Sequence, residues 1–480
     1  MSHLPADCLN EIFECLNDDK NTLYSCLLVN RLWCQISVRI LWRNVSTSNF
    51  STLIACLPEE SKKFLDDNGI IISTPTSKFP TFNYATYFKI LSVNEVYYKI
   101  NELIKNQQNI SYYNIYNKTH LVIQEIFKMF MKQISSLKRL EFLQNSNINF
   151  ILYPGSKDCL KNLTELYCSS NISSNFFYQL SQICHNISLI DIKIENNISN
   201  GITELISFQK NLKSFYMTLN YDLTDNVLNN LIPSLMTKLP KNLMKLDIYG
   251  GMRNISLSFI ANFTNLRELQ LSFEYSKCFL DFEKLQYIIF PQLQILKIRH
   301  ECPRYEYLVK FIENNGKNLK ELSMGDIRGN SDNSLNLAIA KFCPNLRKLS
   351  TGVKNDELET LKIILNSCRY IEKIKIWCGS EYLNEKEALD MVVKYSHENI
   401  SELVLYHQDC IQSAELLPVE LESFFIKWMS RMPQKSLSLE IVKCEEDDSL
   451  DTNHENMKII EKYTKLGVIK KFKITDFELL

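Results

Sequence analysis

The sequence is poor in glycine and proline, with 11 glycines and 12 prolines in 480 residues. Loops that cradle phosphates and tight β-hairpin turns both need glycine, because only glycine readily adopts positive φ. The glycine count therefore disfavours a nucleotide-dependent enzyme and an all-β sandwich. The length is too great for one ordinary hydrophobic core, which indicates several domains or a repeat array.

Charge excess and long apolar runs are also lacking. The chain has 54 basic against 55 acidic residues, so electrostatics give no reason to expect nucleic acid or an anionic membrane as partner. No uncharged apolar run approaches the ~20 residues that span a bilayer. Asp7 and Glu11 interrupt the first residues, which is untypical of a secretory signal. We therefore expect an intracellular protein, cytoplasmic and/or nuclear, with reduced and mostly buried thiols.

Motifs for metal binding and catalysis are missing. None of the 15 cysteines forms a Cys-x-x-Cys pair. His-Glu occurs at 300–301, 397–398 and 454–455, but the second histidine of a zinc-protease helix is replaced by Arg304, Ser401 and Lys458. The sequence contains no G-x-S-x-G, no G-x-x-x-x-G-K-[ST] and no G-x-G-x-x-G. We predict no catalytic residues, no metal site and no cofactor; a cysteine nucleophile with a distant histidine stays open, since 15 Cys and 7 His offer many pairs.

A repeated motif organises most of the chain. It reads N-L-x-x-L-x-L with conservative changes, and its strong copies recur at intervals of 23 to 31 residues. Eleven strong and two weaker copies begin at residues 136, 162, 186, 211, 242, 265, 292, 318, 345, 370, 399, 434 and 468. Each copy ends in an apolar–polar alternation that is typical of a short strand.

Helical spacing precedes many of the predicted strands, as in residues 176–186, 334–345 and 358–368. A strand and a helix at a period of 20–29 residues are the signature of a leucine-rich repeat. Residues 121–480 are therefore predicted to form an α/β solenoid of about 11–13 units, with a parallel strand row inside and helices outside. The amphipathic stretch 121–134 is predicted to cap its N-terminal end; an unrelated α/β protein rich in leucine remains the alternative.

Two segments depart from this period. Residues 46–120 are interpreted as a connector and pre-repeat region, because Pro58, Pro75, Pro80 and Gly69 interrupt its first part, which is expected to form loops. The acidic run 445–448 is expected to be a solvated loop.

The first 45 residues have the pattern of a small helical module. Pro5 suits a first helical turn and Asp7 suits the positive end of a helix. Leu9, Ile12, Phe13 and Leu16 then form an apolar stripe, and a second helical segment at 22–37 carries apolar residues on more than one face. About forty residues lie near the lower limit for independent folding. We therefore expect a module that a partner protein completes.

The stretches LPADCLNEIFECL, CLLVNRLWCQI and LWRNV resemble the F-box, over Leu4 to Val45. With the repeats that follow, the chain resembles the F-box/leucine-rich-repeat proteins. This resemblance implies a substrate-recruiting adaptor of a Skp–cullin–F-box ubiquitin ligase, without catalysis of its own. The resemblance also implies contact with a Skp-type adaptor, which links the chain to a cullin–RING ligase. The contact residues that it implies are Leu4, Pro5, Leu9, Ile12, Leu16, Val29 and Trp33. Leu27, Leu28 and Ile36 suit the module's core as well as an interface.

The concave face of the repeats is the predicted surface for an unknown protein substrate. Residues between the inward apolar positions of each strand point to that face. Its early part mixes tyrosines with acids and its late part is basic and aromatic, so that Arg299 and Lys375 could meet an acidic or phosphorylated segment. The predicted contacts are Tyr167, Tyr216, Tyr249, Lys297, Arg299, Lys375, Trp377 and Tyr406.

Two alternatives stay open. The strand residues just named could be ordinary solvated side chains. The repeats could also form a scaffold or ligand sensor unrelated to ubiquitin, in which the N-terminal segment is only a capping or dimerising helix pair.

Overall fold

The structure is a computed structural model of the chain. It describes residues 4–72, 80–107, 112–144, 148–325, 332–379, 381–407, 416–431, 435–443 and 449–476. The acidic run 445–448 and Pro75 lie outside the described residues. The chain divides into two compact units, Met1–Phe215 with Lys238–Pro240 and Tyr216–Thr237 with Lys241–Leu480.

Three short helices open the first unit: α1 (Ala6–Glu14), α2 (Lys20–Cys26) and α3 (Arg31–Leu41). Pro5 directly precedes α1 as its N-cap, not inside its first turn. The segment predicted as one helix over 22–37 is broken at 27–30, because Asn30 Oδ1 accepts a hydrogen bond from Trp33 N at 2.9 Å and starts a new helix there. The module's small core consists of Leu9, Phe13, Leu23, Cys26, Ile36 and Ile40.

Helices occupy much of the segment that the sequence predicts as loops. A 3-10 turn (Val45–Thr47) leads into α4 (Phe50–Ala55) and α5 (Glu59–Asp67), and Pro58 is the N-cap residue directly before α5. A second 3-10 turn (Tyr84–Tyr87) precedes strand β1 (Ile90–Ser92), α6 (Val93–Gln107) and α7 (Tyr112–Gln133). The stretch 121–134, predicted to be a helix, lies in α7, which begins nine residues earlier.

Parallel strands continue from β1 through the first unit. They are β2 (Arg139–Phe142), β3 (Glu165–Ser169) and β4 (Leu189–Ile194), each paired with the one before. Helices α8 (Ser156–Leu160) and α9 (Ser174–Ile183) lie between these strands, α10 (Asn200–Phe208) follows β4, and a 3-10 turn is found at Phe150–Leu152. The sequence motif does not predict β1.

The second unit repeats the same arrangement, and the boundary between the units falls inside β5. Its strands are β5 (Ser214–Leu219), β6 (Lys245–Gly251), β7 (Ile255–Ser256), β8 (Glu268–Phe273), β9 (Phe279–Leu280), β10 (Ile295–His300), β11 (Glu321–Met324), β12 (Lys348–Thr351), β13 (Lys373–Cys378), β14 (Glu402–His407), β15 (Leu437–Lys443) and β16 (Ile469–Asp476). The pair β7–β9 is separate, and the other strands lie side by side in chain order.

Helices and turns connect the strands of the second unit. The helices are α11 (Ile232–Met236), α12 (Phe282–Leu285), α13 (Tyr305–Asn315), α14 (Asn333–Phe342), α15 (Leu358–Ser367), α16 (Glu385–Tyr395), α17 (Pro418–Met429) and α18 (His454–Lys465). A π-helical turn (Val227–Leu231) and three 3-10 turns (Ser258–Asn262, Ser276–Cys278 and Gly316–Asn318) complete it.

The apolar residues of each motif form the core of each unit. In the second unit the leucines of neighbouring strands face one another in register, and each is at most 2% exposed: Leu246, Leu269, Leu296, Leu322 and Leu349. Stacking identical positions side by side buries a continuous apolar row that no single repeat could bury. All thirteen predicted copies end in a strand, so the predicted leucine-rich-repeat fold, with its helical N-terminal module, is confirmed.

Buried amides satisfy the backbone where helices return to strands. Asn315 Nδ2 donates to the carbonyl oxygens of Ile288 (2.9 Å) and Phe311 (3.0 Å), and its Oδ1 accepts from Phe290 N at 2.7 Å. One side chain thus bonds to three backbone groups at the buried end of the helix. The hydrogen bonds bind α13 to the segment that precedes it by one repeat.

Cysteines fill small core positions. Ten of the thirteen described cysteines are buried and all thirteen are free thiols. Cys184 Sγ lies 3.2 Å from the carbonyl oxygen of Leu160, one repeat earlier. Burial raises the pKa of Cys159, Cys184 and Cys368 to about 12, so these thiols stay neutral and act as packing groups.

Candidate functional site

The N-terminal module exposes several apolar side chains. Leu4, Ile12, Leu28 and Val29 are 54%, 49%, 89% and 56% exposed. Pro5 is exposed as well, whereas Leu16 and Trp33 are half-buried against the module's core. Of the three residues that suited either role, the structure exposes Leu28, buries Ile36 and leaves Leu27 half-buried. An apolar surface of this kind on a domain of about forty residues is typical of a protein interface.

Leu9 is buried, although the sequence predicts that it contacts a partner. It is 5% exposed and belongs to the module's own core with Phe13 and Leu23. The ring of Phe13 packs edge-on against Trp33 at 5.1 Å between centroids. Helix α1 therefore turns Leu9 and Phe13 inward, and Ile12 remains on its outer side.

An ion pair fixes the end of the module. Arg43 Nη1 donates to Glu14 Oε2 at 2.8 Å, and Nη2 contacts the other carboxylate oxygen. Such a two-point pair joins α1 to the residues after α3 and defines their orientation. The hydrogen bond from Arg43 holds the pKa of Glu14 below its ordinary value of 4.5.

In the first unit the exposed strand face is acidic and aromatic around Tyr167. Arg139 Nε donates to Glu165 Oε2 at 2.7 Å and its guanidinium lies 4.9 Å from the centre of the Tyr167 ring. Asp191 is the register partner of Tyr167 on the next strand, and burial raises the pKa of its carboxyl group. The early mixture of tyrosine and acid predicted from the sequence is therefore present here as one surface.

The charged residues on the strand face of the second unit largely neutralise one another. Lys297 Nζ lies 2.7 Å from Glu321 Oε1, and Lys348 Nζ lies 3.6 Å from the other oxygen of that carboxylate. Lys245–Glu268 (2.9 Å), Lys373–Glu402 (3.2 Å) and Lys473–Glu440 (3.1 Å) repeat the pattern. Cross-strand pairs of this type set charge balance more than stability, so Lys297 is paired with a carboxylate of the next strand and is not a free basic group.

Tyr249 and Arg299 flank a small residue on this face. They lie in register with Ser272, which separates them by one strand and is itself buried. Tyr249 is half-buried, and a hydrogen bond with the Tyr221 hydroxyl (3.4 Å between oxygens) raises its pKa to about 12. Arg299 is exposed and Tyr216 half-buried. A tyrosine ring and a guanidinium on nearby strands are residue types found at interface hot spots.

Trp377 and Tyr406 are not available to a substrate. They are 0% and 1% exposed and form a second apolar cluster with Tyr382, Val404 and Val442. Their ring centroids are 4.1 Å apart. The prediction of exposed late aromatics is therefore wrong, because side chains from the neighbouring strands and from Tyr382 cover them.

Lys375 belongs to the edge of the same cluster. Its Nζ lies 3.8 Å from the centre of the Tyr406 ring and 5.1 Å from that of Trp377, a cation–π arrangement. The lysine that the sequence assigns to an anionic substrate thus contacts the protein's own aromatic rings.

The described part of the chain contains no group of three or more His, Cys, Asp and Glu side chains that could hold a metal ion. Within the same residues, no helix has the length and apolarity required to cross a membrane.

Comparison with known families matches residues 1–48, which contain α1, α2 and α3, to a family described as F-box-like. The module is an F-box-like domain. The protein therefore combines an F-box-like domain with leucine-rich repeats.

Two solved structures are similar to the chain. One is a chain of the Rad7 and Elc1 complex in yeast, at 13% identity and a TM-score of 0.36, over 73% of this chain and 88% of that one. The other is the leucine-rich repeat-containing protein LegL7 from Legionella pneumophila, at 13% identity and a TM-score of 0.36, over 62% of this chain and 99% of that one. No curated protein matches the sequence. Likenesses at this level add nothing to what the parallel strands already establish.

Proposed function

We propose that the protein is a substrate-recruiting adaptor of an SCF-type cullin–RING ubiquitin ligase. In this proposal the F-box-like domain docks on a Skp-type adaptor, and the exposed strand faces of the repeats bind the target protein. The observation that carries the proposal is the apolar surface of the F-box-like domain.

The physical argument for docking is the cost of leaving that surface in water. Leu28 and Val29 lie in the turn between α2 and α3, Ile12 lies on the outer side of α1, and Leu4 precedes that helix. Burying each of these side chains in a partner would contribute about 1–2 kcal/mol. A domain with so small a core of its own gains stability when a partner covers such residues.

The target-binding part rests on residues that the structure leaves accessible. The proposed contacts are Tyr249 and Arg299 in the second unit, and Tyr167 beside Asp191 in the first. The proposal does not include Trp377, Tyr406 and Lys375. The adaptor would perform no covalent step and would act by holding its target near a separate transfer enzyme.

Copurification of the full-length chain with a Skp-type adaptor tests the docking. We expect wild type to form a 1:1 complex and the variants Ile12→Asp and Leu28→Asp to lose it, since each buries a carboxylate without a partner. Ile71→Asp is the matched control, because Ile71 is 70% exposed and outside the F-box-like domain. Absence of a wild-type complex would favour the alternative of a scaffold or ligand sensor.

Substrate contact is tested by affinity purification from cells in which proteasomal degradation is blocked. Proteins that Tyr249→Ala and Arg299→Ala both fail to retain, and that the exposed-arginine control Arg267→Ala does retain, would be candidate targets. Equal recovery with all three variants would remove Tyr249 and Arg299 from the proposed target contacts while leaving adaptor docking unaffected.

A further inference from the structure

On the strand face of the first unit, an aromatic ring lies between two carboxylates. Glu141, Tyr167 and Asp191 are register partners on the adjacent strands β2, β3 and β4. Adjacent strands are about 4.8 Å apart, so the three side chains form one short row. All three are half-buried and keep part of their surface accessible to a partner.

One side of the Tyr167 ring already holds a cation. The guanidinium of Arg139 lies 4.9 Å from the centre of the ring. Its Nε donates to Glu165 Oε2 at 2.7 Å, and its Nη1 lies 3.9 Å from Glu141 Oε1. A planar guanidinium suits this place because it stacks on a ring and donates to carboxylates at the same time. The protein's own residues therefore show which chemistry this face accepts.

The other side of the ring carries a carboxylate without a cation. In the described part of the chain, Asp191 has no hydrogen bond and no oppositely charged partner, and burial raises the pKa of its carboxyl group. Such a shift is expected where a carboxylate is partly removed from water without compensation. Lys193 follows two residues later on β4, but its Nζ lies 3.1 Å from Glu195 Oε1 and is thus already paired.

The strand face of the second unit shows how these repeats ordinarily treat a carboxylate. Lys245 pairs with Glu268 across adjacent strands at 2.9 Å, and Lys373 pairs with Glu402 at 3.2 Å. Asp191 departs from this pattern. A partly buried carboxylate without a partner is unfavourable, and departures of this kind are expected where a residue serves binding instead of stability.

We infer that this row binds an arginine side chain from a basic segment of the target protein. The guanidinium would pair with Asp191 and contact the Tyr167 ring from the side of β4, opposite in kind to the internal contact made by Arg139. The inference rests on the proposed target-binding role of the strand faces and names the class of target for the first unit. An acidic or phosphorylated segment would meet carboxylates here and be repelled.

Two peptides of nearly equal shape test the chemistry. One is acetylated and amidated Gly-Ser-Arg-Ser-Gly, and the other has citrulline in place of arginine, which keeps the planar group and removes its charge. In saturation-transfer NMR titrations of the full-length protein, we expect saturable binding of the arginine peptide in the millimolar range. The citrulline peptide should bind about tenfold more weakly or not at all.

Variants locate the binding. Asp191→Asn should weaken binding of the arginine peptide about tenfold. Its melting temperature should equal or exceed that of wild type, because the carboxylate forms no ion pair within the described chain; a purely structural role would predict a lower one. Asp67→Asn is the matched control, since Asp67 is exposed in α5 of the same unit. Asp191→Ser gives a second reading if Asp191→Asn does not fold.

Three results would overturn the inference. One is no saturable binding of the arginine peptide, and another is equal affinity for the two peptides. The third is that folded Asp191→Asn or Asp191→Ser binds the arginine peptide as wild type does, or no more weakly than Asp67→Asn.

Copurification with a Skp-type adaptor separates this inference from the proposed function. Asp191→Asn should retain the adaptor as wild type does, because Asp191 lies outside the F-box-like domain. Failure of wild type to bind the adaptor would contradict the proposed function and leave the peptide result standing. Failure of the peptide titrations would remove the arginine site and leave adaptor docking unaffected.

Discussion

The substitution Val29→Asp tests most sharply whether the F-box-like domain presents a docking surface. Val29 is 56% exposed in the turn between α2 and α3. Because it contributes little to the module's own core, the change should alter the free energy of unfolding by no more than about 0.5 kcal/mol. Any loss of adaptor binding would then reflect the interface and not the fold.

The expected loss of affinity follows from two costs. The exposed part of a valine at this level is roughly 80 Å² of apolar surface, and removing it from water contributes about 2 kcal/mol. A carboxylate buried at the same place without a partner adds about 1–3 kcal/mol. The sum, about 3–5 kcal/mol, corresponds to an increase in Kd between about a hundredfold and several thousandfold.

The assay is isothermal titration calorimetry of the full-length chain against a purified Skp-type adaptor, with melting temperatures measured in parallel. Val419→Asp is the matched control, because Val419 is 79% exposed in α17 and undergoes the same change of volume and charge. We expect wild-type affinity for Val419→Asp and unchanged melting temperatures for both variants.

The reasoning would be refuted by a folded Val29→Asp protein that binds the adaptor within about threefold of wild type. Equal weakening by Val29→Asp and Val419→Asp would contradict it too, since the effect would then be one of overall charge.

Three further predictions concern stability. Trp377→Ala should lower the free energy of unfolding by about 3–5 kcal/mol in denaturant titrations, because Trp377 is a core residue; a variant as stable as wild type but deficient in target binding would contradict this. Asn315→Leu should destabilise the protein by about 2–4 kcal/mol because Phe290 N and the carbonyl oxygen of Ile288 lose their side-chain partner, whereas the exposed control Asn314→Leu should cost much less. Because the pKa of Glu14 is lowered, its pair with Arg43 stabilises the fold above about pH 4.5, and this contribution is lost as the pH falls through the lowered pKa. Glu14→Gln should remove that part of the pH dependence of thermal unfolding. A pH profile of the melting temperature that is unchanged in Glu14→Gln would contradict a stabilising role of the pair.

The repeat could be found from sequence because its physics is local. An apolar residue, most often leucine as at Leu246 and Leu269, recurs at one position of every copy, and a side-chain period of two decides which face is buried. The motif does not predict strand β1, because this strand has only three residues, Ile90–Ser92, and no full copy of the motif. The sequence does not predict helices α4 and α5, because Pro58 favours a loop there, although proline is also common at the start of a helix.

The candidate site was less predictable. Alternation places Trp377 and Tyr406 on the outward face of their strands, and that placement is correct, but it says nothing about what covers that face. Likewise, the helical stripe of α1 contains Leu9 and Ile12, and only the packing of α3 decides that Leu9 is buried. The spacing of Lys297 and Glu321 along the chain, 24 residues, gives no sign that they form an ion pair across adjacent strands.

The sequence by itself determined the period, the strand of each repeat, the helix of several repeats and the F-box-like pattern of the first residues, because all of these depend on side-chain order over a short stretch of chain. The tertiary structure alone decided which outward residues remain accessible. Val29 and Arg299 stay exposed, while Trp377 and Tyr406 are covered. Exposure depends on neighbours that are distant in sequence, and the energy of covering an aromatic ring is the same whether a partner or the chain itself supplies the cover.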